Sequence, residues 1–235
     1  MSDDRYAPPT APLTEPVSRR GSGRIDLGEA FREAWDGTWS HFGLLFLAGV
    51  TGFVVAALSA ATVVGLVLIV PVLLWGSLRL LLNVLDGRGE VADLFSGFSD
   101  FGRVLGAMLV LLILYLLIGV AGQSLGIFAR LTGSALLAFL GALLNLFWSF
   151  GVMPRLAFAS YNVVEGGLAP ADALRTSWEK TRDQKLICAV LALLSVLIPV
   201  VGVLCLLVGV IPAWMIAALM HAAAYRQLEA NSGAA

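Results

Sequence analysis

Long apolar stretches dominate the chain, and charged residues almost never interrupt them. Residues 37–78 and 186–225 contain no Asp, Glu, Lys or Arg, and Arg130 is the one charged residue in 104–154. A helix needs roughly 20 apolar residues to cross a hydrocarbon core about 30 Å thick, so each stretch has room for two spans. The runs are continuous rather than alternating, which excludes a transmembrane barrel. We predict six membrane-spanning helices, near 42–61, 64–84, 104–127, 133–157, 186–201 and 203–225.

A second pattern, with apolar residues every three or four positions, precedes some of the spans and predicts amphipathic helices. Such helices lie at the membrane–water boundary with aromatic rings at headgroup depth; the alternative is that their apolar stripes pack on other helices of the protein. One stripe contains Leu27, Phe31, Trp35 and Trp39, and another contains Val91, Leu94, Phe95, Phe98 and Phe101. The predicted interfacial anchors are Phe31, Trp35, Trp39, Phe95, Phe98 and Trp178.

Short segments recur along the chain at constant spacing. Asn83–Gly87 reappears as Asn162–Gly166, and at the same offset Ala92–Phe95 reappears as Ala171–Leu174. A third copy, Gly28–Phe31, is followed by a tryptophan at the same distance as Ala171–Leu174 is. The recurrence predicts three parallel units related by an axis along the membrane normal. The units lie near 25–87, 88–166 and 167–230, within one membrane domain at 25–230.

The predicted fold is therefore an all-α polytopic membrane protein. Its six transmembrane helices form three parallel two-span hairpins, and a cytoplasmic amphipathic interfacial helix precedes each hairpin. The composition agrees, because hydrophobic residues make up 59% of the chain and charged residues 13%, against about 25% charged in soluble domains.

The basic residues predict the orientation. Of the 15 Lys and Arg residues, Arg130 alone falls on the far side of the predicted spans. An excess of basic residues marks the cytoplasmic side, so we expect both termini to be cytoplasmic in a bacterial inner (plasma) membrane. The outer connections, near 60–63 and 199–202, are too short to fold by themselves.

The ends of the chain have the composition of tails. Residues 1–24 contain four prolines among Ser, Thr, Arg and Asp and have no apolar core, which predicts a disordered cytoplasmic tail rather than a signal peptide. Residues 231–235 form a short second tail.

The residues that usually carry catalysis or bind metals are few. His41 and His221 lie near predicted span ends without a Cys or carboxylate cluster beside them, and Cys188 and Cys205 fall inside spans, where they are expected to pack as small apolar residues. We therefore expect no catalytic residue, no metal and no cofactor. Nucleic-acid binding has no support, because the predicted inner surface mixes acidic with basic residues.

Four carboxylates recur with the repeat on the predicted inner face. They could form pairs for acid–base chemistry, but loop and helix-cap positions exposed to water explain them more simply. They are Asp86, Asp93, Glu165 and Asp172.

Gln123 and Asn145 are the notable amides inside the predicted spans. An interhelical hydrogen bond explains each of them, and contact with a lipid or another substrate is the alternative. Pro71 and Pro212 fall inside spans at corresponding places, which is typical either of simple kinks or of a transport site. Gly122 and Gly126 have the spacing of closely packed helices, for which we expect packing within the chain.

The pattern resembles a bacterial family of six-span integral membrane proteins of unknown function, and it is similar to the membrane domain of glycerophosphoryl diester phosphodiesterases. The resemblance implies a six-span fold and an association with glycerolipids or the envelope, without a catalytic residue. It is carried by Ala30–Trp35, Pro71–Gly76, Asp93–Phe98, Ala173–Trp178 and Ala222–Leu228.

The sequence thus favours a non-enzymatic inner-membrane protein that acts as a scaffold or organiser of lipid or of a protein partner. The alternative is a carrier or flippase for a lipid or other apolar substrate, which needs a groove lined by Gln123 and Asn145. A lipid-modifying enzyme is the third hypothesis, and it needs carboxylates or histidines that face one cavity. The expected partners are membrane lipids and a membrane protein.

Overall fold

The computed structural model describes residues 24–204 and 209–229, and within these ranges the chain is helical without strands. This confirms the all-α prediction. The predicted tails, apart from Arg24, lie outside the described residues, and so does Cys205. In chain order the α-helices are α1 (Leu27–Ser40), α2 (Phe42–Ala60), α3 (Val63–Leu85), α4 (Phe101–Thr132), α5 (Ala135–Phe147), α6 (Met153–Ala157), α7 (Ala159–Val164), α8 (Pro170–Lys180), α9 (Lys185–Leu204) and α10 (Val210–Glu229).

Three other helical segments join these elements. A ten-residue 3₁₀ helix (Val91–Asp100) precedes α4, a π-helical turn (Trp148–Val152) joins α5 to α6, and a short 3₁₀ turn (Arg182–Gln184) joins α8 to α9. We call α1, the 3₁₀ helix Val91–Asp100 and α8 the entry helices, because each comes directly before long apolar helices.

Five segments of the described chain are long and apolar enough to cross a membrane, by length and composition. Each overlaps one of the first five predicted spans, and the chain is accordingly a multi-pass membrane protein. Large apolar side chains are exposed on their outer surfaces, where lipid replaces water as the solvent. The segments are Phe42–Ala60, Val63–Leu85, Val91–Val120, Ala135–Val164 and Arg182–Leu204.

The sixth predicted span, 203–225, overlaps α10, which is not among the five. From Ile216 onward this helix is enclosed by protein: Leu219, Met220 and Ala222–Ala224 have no exposed surface, and α1, α3 and α9 pack around the helix. Ionisable residues of membrane helices face the interior of the protein rather than lipid, and His221 and Arg226 lower the hydropathy of α10. A sixth span therefore stays a prediction.

The fourth predicted span, 133–157, is less regular than expected, because α5 passes through the π-helical turn into α6 and α7. Pro154 explains the irregularity. A proline inside a helix lacks an N–H and its ring clashes with the carbonyl four residues earlier, and a widened π turn moves that carbonyl away. The Met153 N–H instead donates to the Trp148 carbonyl, five residues back. Tyr115 on α4 stabilises the next break by donating to the Leu156 carbonyl at 2.6 Å.

The predicted connection at 199–202 is wrong in detail, because α9 continues through Pro199 to its end at Leu204. Gly202 allows α9 and α10 to approach closely: a Cβ at this position would lie 2.7 Å from the Cβ of Ala213. Pro212 lies in the first turn of α10 rather than in its interior, and the first turn tolerates a missing N–H. Pro71 does lie inside α3, as expected.

The 3₁₀ helix Val91–Asp100 packs on α3 through two glycines. A Cβ at Gly76 would overlap the backbone carbonyl of Leu94, and a Cβ at Gly97 would lie 2.8 Å from a methyl group of Val72. The absence of both side chains brings the two backbones together. The entry helix is thus fixed against the span by its inner side, which leaves its other side outward.

Candidate membrane-boundary site

Small residues form the inner face of α1. Ala30, Ala34 and Thr38 are spaced by four, have no exposed surface and belong to the side of α1 that packs on α10. The Thr38 hydroxyl donates to the Ala34 carbonyl at 2.7 Å, so this buried group is satisfied within its own helix. Of the apolar stripe that the sequence shows, Leu27 packs against the core, whereas the rings of Phe31, Trp35 and Trp39 lie on the outer side and are 40–51% exposed.

The aromatic rings of α1 form a continuous ladder on its outer face. Ring centroids lie 6.0 Å apart for Phe31 and Trp35, 5.7 Å for Trp35 and Trp39, and 5.7 Å for Trp39 and Phe42. Phe46 extends the ladder by a stacked contact of 6.1 Å. Because Phe42 and Phe46 belong to α2, a candidate span, the outer face of α1 is continuous with a lipid-facing surface.

The 3₁₀ helix Val91–Asp100 separates its faces by a period of three residues. Leu94 and Gly97 are buried against α3, whereas Phe95 and Phe98 are exposed. Ring centroids lie 6.2 Å apart for Phe95 and Phe98 and 6.0 Å apart for Phe98 and Phe101. A second, shorter aromatic ladder therefore runs into the start of α4.

The inner face of α8 repeats that of α1. Ala173, Ser177 and Thr181 are buried, are spaced by four, and follow the three small residues of α1 by a constant 143 positions. The Thr181 hydroxyl donates to the Ser177 carbonyl at 2.8 Å, as the corresponding threonine does in α1. Sequence reasoning found the equivalence of Trp35 and Trp178 but missed this inner pattern, although the same offset reveals it.

A buried arginine fixes the carboxyl end of α8. The guanidinium of Arg155 donates to the Trp178 carbonyl at 2.9 Å and to the Thr181 hydroxyl at 3.2 Å. It also lies 3.5 Å from the centroid of the Trp178 ring. The Ser177 hydroxyl donates to the Arg155 carbonyl in return. The last carbonyls of a helix favour a positive charge, so Arg155 clamps α8 to the unit before it.

The predicted anchors share one property. Phe31, Trp35, Trp39, Phe95, Phe98 and Trp178 are between 36% and 51% exposed, although rings of this size are usually covered. The entry helices thus present six exposed aromatic side chains, while their opposite faces are fully packed.

The ends of three helices meet in an ion cluster that sequence reasoning missed. Arg226 on α10 pairs with Asp86 at 2.7 Å and with Glu165, and Arg88 pairs with Asp86 at 3.0 Å. Asp86 and Glu165 are the equivalent carboxylates of the first two predicted units. We call this group the charged junction. The repeat was a usable signal for the two carboxylates, which occupy the same place in Asn83–Gly87 and Asn162–Gly166, but not for Arg226.

The segment before α1 is tied to the last predicted unit. The backbone N–H of Ile25 donates to Gln184 at 2.6 Å, and that of Asp26 donates to Gln227 at 2.7 Å. Asp26 also caps α1, because its side chain accepts hydrogen bonds from the N–H groups of Gly28 and Glu29. The start of α1 is therefore held at the end of α10.

The remaining carboxylates and amides that the sequence singled out do not converge. Asp93 caps the 3₁₀ helix by accepting from the Glu90 N–H at 2.9 Å, and Asp172 lies in the first turn of α8. Gln123 is exposed and Asn145 is half-buried.

The two histidines and Cys188 occupy separate places. The His41 ring contacts the Gly37 carbonyl at 3.3 Å at the end of α1. His221 lies in the middle of α10 rather than at its end, where Nδ1 is 3.3 Å from the Ser195 hydroxyl. Cys188 is fully buried in the core. Within the described residues, no three His, Cys, Asp or Glu side chains come together as a metal site would require.

Comparison with known proteins found no protein-family model, curated protein or solved structure that matches the chain.

Proposed function

We propose that the protein is a non-enzymatic membrane protein that organises lipid at the cytoplasmic boundary of a bacterial inner membrane. The supporting observation is the pair of faces on each entry helix. Buried residues pack inward and aromatic rings point outward, and an exposed ring needs a partner that is neither water nor the rest of this chain. Lipid headgroups and upper acyl chains suit amphipathic aromatic rings.

The orientation within this proposal follows from charge. Six spans in three parallel two-span units place every entry helix and the charged junction on the cytoplasmic side, where basic residues concentrate. The aromatic ladder of α1 then begins at headgroup depth and continues into α2 below it. Each unit contributes one such contact, so the molecule holds a patch of one leaflet at three separate places.

Fluorescence quenching by brominated lipids tests the placement of the rings. The variant that keeps Trp35 alone, with the other five tryptophans replaced by Phe, is reconstituted in bilayers brominated either high or low on the acyl chain. We expect the shallow bromines to quench Trp35 more strongly, and the same result for a variant that keeps Trp178 alone.

Trp214 supplies the matched control. It is exposed on α10 and falls at the centre of the predicted sixth span, so the deep bromines should quench it best. If the fluorescence of Trp35 and Trp178 is quenched with the same depth dependence as that of Trp214, or if no bromine quenches either of them, the boundary placement is wrong.

Mass spectrometry of native nanodiscs tests whether the protein organises lipid. Replacing Phe31, Trp35 and Trp39 by Ser should remove any enrichment of one lipid class over bulk lipid.

The carrier hypothesis has less support from the geometry. It needs a groove between the spans that Gln123 and Asn145 line, whereas the centre of α10 is packed with side chains that have no exposed surface. Side chains packed in this way leave no groove along that part of α10, and Gln123 lies on the exposed surface of α4 rather than in a groove. Retention of a lipid that depends on Asn145 and not on the aromatic rings would reverse this preference.

A further inference from the structure

The α4–α5 pair stands apart from the other long helices. α4 has 32 residues, about 48 Å at 1.5 Å per residue, which is longer than a hydrocarbon core. Gly133, with a φ of 66°, and Ser134 join it to α5. The principal contacts of α5 are with α4 and with the π-helical turn that follows it, and Gly141 is its one buried residue among those described. Most of the surface of this pair is therefore open.

A carboxamide lies on that open surface. Gln123 is exposed, and its neighbours on the same side of α4 are the exposed apolar residues Leu116, Val120 and Ile127. It lies nine residues before the end of α4, about 14 Å along the helix. Asn145, ten residues into α5, lies at nearly the same depth. Each unpaired polar group in hydrocarbon costs several kcal/mol (roughly 2–7 on transfer scales), so lipid is a poor partner for Gln123.

Glycines flank this amide on its own side of α4. Gly119 and Gly126 precede and follow Gln123 by four and three residues, which places all three along one stripe. A Cβ at Gly126 would meet no atom within 4 Å, and one at Gly119 would meet only the flexible end of Met153, at 3.7 Å. The expectation that Gly126 serves packing within the chain is therefore wrong. Its missing side chain leaves space that a second helix could fill.

We propose that two copies of this chain dock through α4, with the Gln123 carboxamides of the two copies hydrogen-bonded to each other across a two-fold axis. A carboxamide both donates and accepts, so it is complementary to a second copy of itself. A two-fold axis brings the same residue of both copies together. The open glycine beside Gln123 lets the two backbones approach closely enough for the hydrogen bond to form. This inference goes beyond the lipid-organising function and does not depend on it.

Counting copies in bilayers tests the proposal. The full chain carries one fluorophore and is reconstituted in liposomes over a range of protein-to-lipid ratios, where stepwise photobleaching gives the fraction of dimers. One interhelical hydrogen bond changes association by a few-fold to about tenfold. We expect Gln123→Leu to raise the dissociation constant by about three- to tenfold. Gly126→Ile, which fills the open space, should raise it further.

Leu117→Ala is the matched control, because Leu117 is an exposed residue of the same helix that lies about 120° around it from Gln123 and about 180° from Gly126. It should leave the dissociation constant unchanged. A chain that is monomeric at every ratio overturns the proposal, as does an equal effect of Leu117→Ala and Gln123→Leu. Because Gln123 is exposed, its replacement by Leu should not disturb folding, and a melting curve equal to that of the parent chain verifies this.

Cross-linking gives an independent readout. In a chain with Cys188→Ala and Cys205→Ala, oxidation should link two copies through Gly126→Cys but not through Leu117→Cys. Links through Leu117→Cys alone would place the interface on the other side of α4 and overturn the proposal. A link from Gly126→Cys to a different membrane protein, with no link between copies, would overturn it as well.

Discussion

α1 and α8 have the same inner face and different outer faces. Both bury three small residues spaced by four, and both end that row with a threonine that bonds to its own helix. On the outside, α1 carries three exposed rings that lead into α2, whereas α8 carries Trp178 with an arginine beneath it. The helices also have different partners, because α1 packs along α10 and α8 packs on α6 and α7.

The comparison separates two roles of an entry helix, which are its attachment to the rest of the protein and its contact with lipid. The shared small residues set how closely an entry helix approaches its neighbours. α1 is held by van der Waals packing along its length and by the hydrogen bonds of the Ile25 and Asp26 N–H groups at its start. α8 instead depends on a charged clamp from Arg155. The clamp and the outer ring meet at Trp178, so in α8 the attachment to the protein and the contact with lipid involve one side chain. In α1 they involve different residues.

Removing the clamp should have the largest effect. Arg155→Ala deletes two charge-assisted hydrogen bonds and the contact with the Trp178 ring, together about 3 kcal/mol. We expect lower stability in detergent unfolding and rapid proteolysis within α8, while α1 stays protected. Arg155→Lys, which keeps the charge but lacks the planar fork, should recover only part of the loss. If α8 remains as protected as α1 after Arg155→Ala, the clamp does not hold it.

The two equivalent threonines offer a finer comparison. Both are fully buried, but Thr181 also accepts a hydrogen bond from Arg155, whereas Thr38 bonds within its own helix. Thr181→Val should therefore cost about 1 kcal/mol more than Thr38→Val, because it leaves one guanidinium N–H of Arg155 without this acceptor. Parallel unfolding titrations of the two variants measure the difference. Equal losses would mean that the hydrogen bond from Arg155 adds nothing to α8.

Exchanging the outer rings should have the smallest effect on stability. Trp178→Leu removes a cation–π contact worth about 0.5–1 kcal/mol, while Trp35→Leu should change the free energy of unfolding by less than about 0.5 kcal/mol. Both should weaken the boundary contact with lipid. Unfolding in detergent measures the change in stability, and lipid retention in nanodiscs measures the change in the contact with lipid. A larger loss of stability for Trp35→Leu would show that its ring supports the protein after all.

The spans were predictable because apolar length is a property of the sequence alone. The boundaries of α2 and α3 differ from the prediction by at most one residue at each end. The course of the chain after α5 was not predictable in the same way, because Pro154 produces a π turn inside the span 133–157, which was predicted as one helix. At Pro199 the error was of another kind: a connection was predicted at 199–202, but α9 continues to Leu204, because an apolar helix with a proline can kink and continue.

The faces of the entry helices show where sequence reasoning stops. Aromatic rings every four residues indicate that one side of α1 is apolar, but they do not say whether protein or lipid covers it. Ala30, Ala34 and Thr38 carried that information, since small residues at the same spacing suit a close helix contact. The charged junction needed more than the repeat. Arg226 was interpreted as a sign of topology, and its two carboxylates are distant in sequence from it and from each other.

The position of α10 has a consequence for biosynthesis. Ribosomes make α1 long before α10, yet α10 is the surface on which α1 packs and to which Asp26 is tied. A nascent chain that has completed α9 therefore has an α1 without its docking surface and an Asp86 without Arg226. We expect the exposed rings to keep α1 on the membrane during this interval, and the arrival of α10 to close the assembly in one late step.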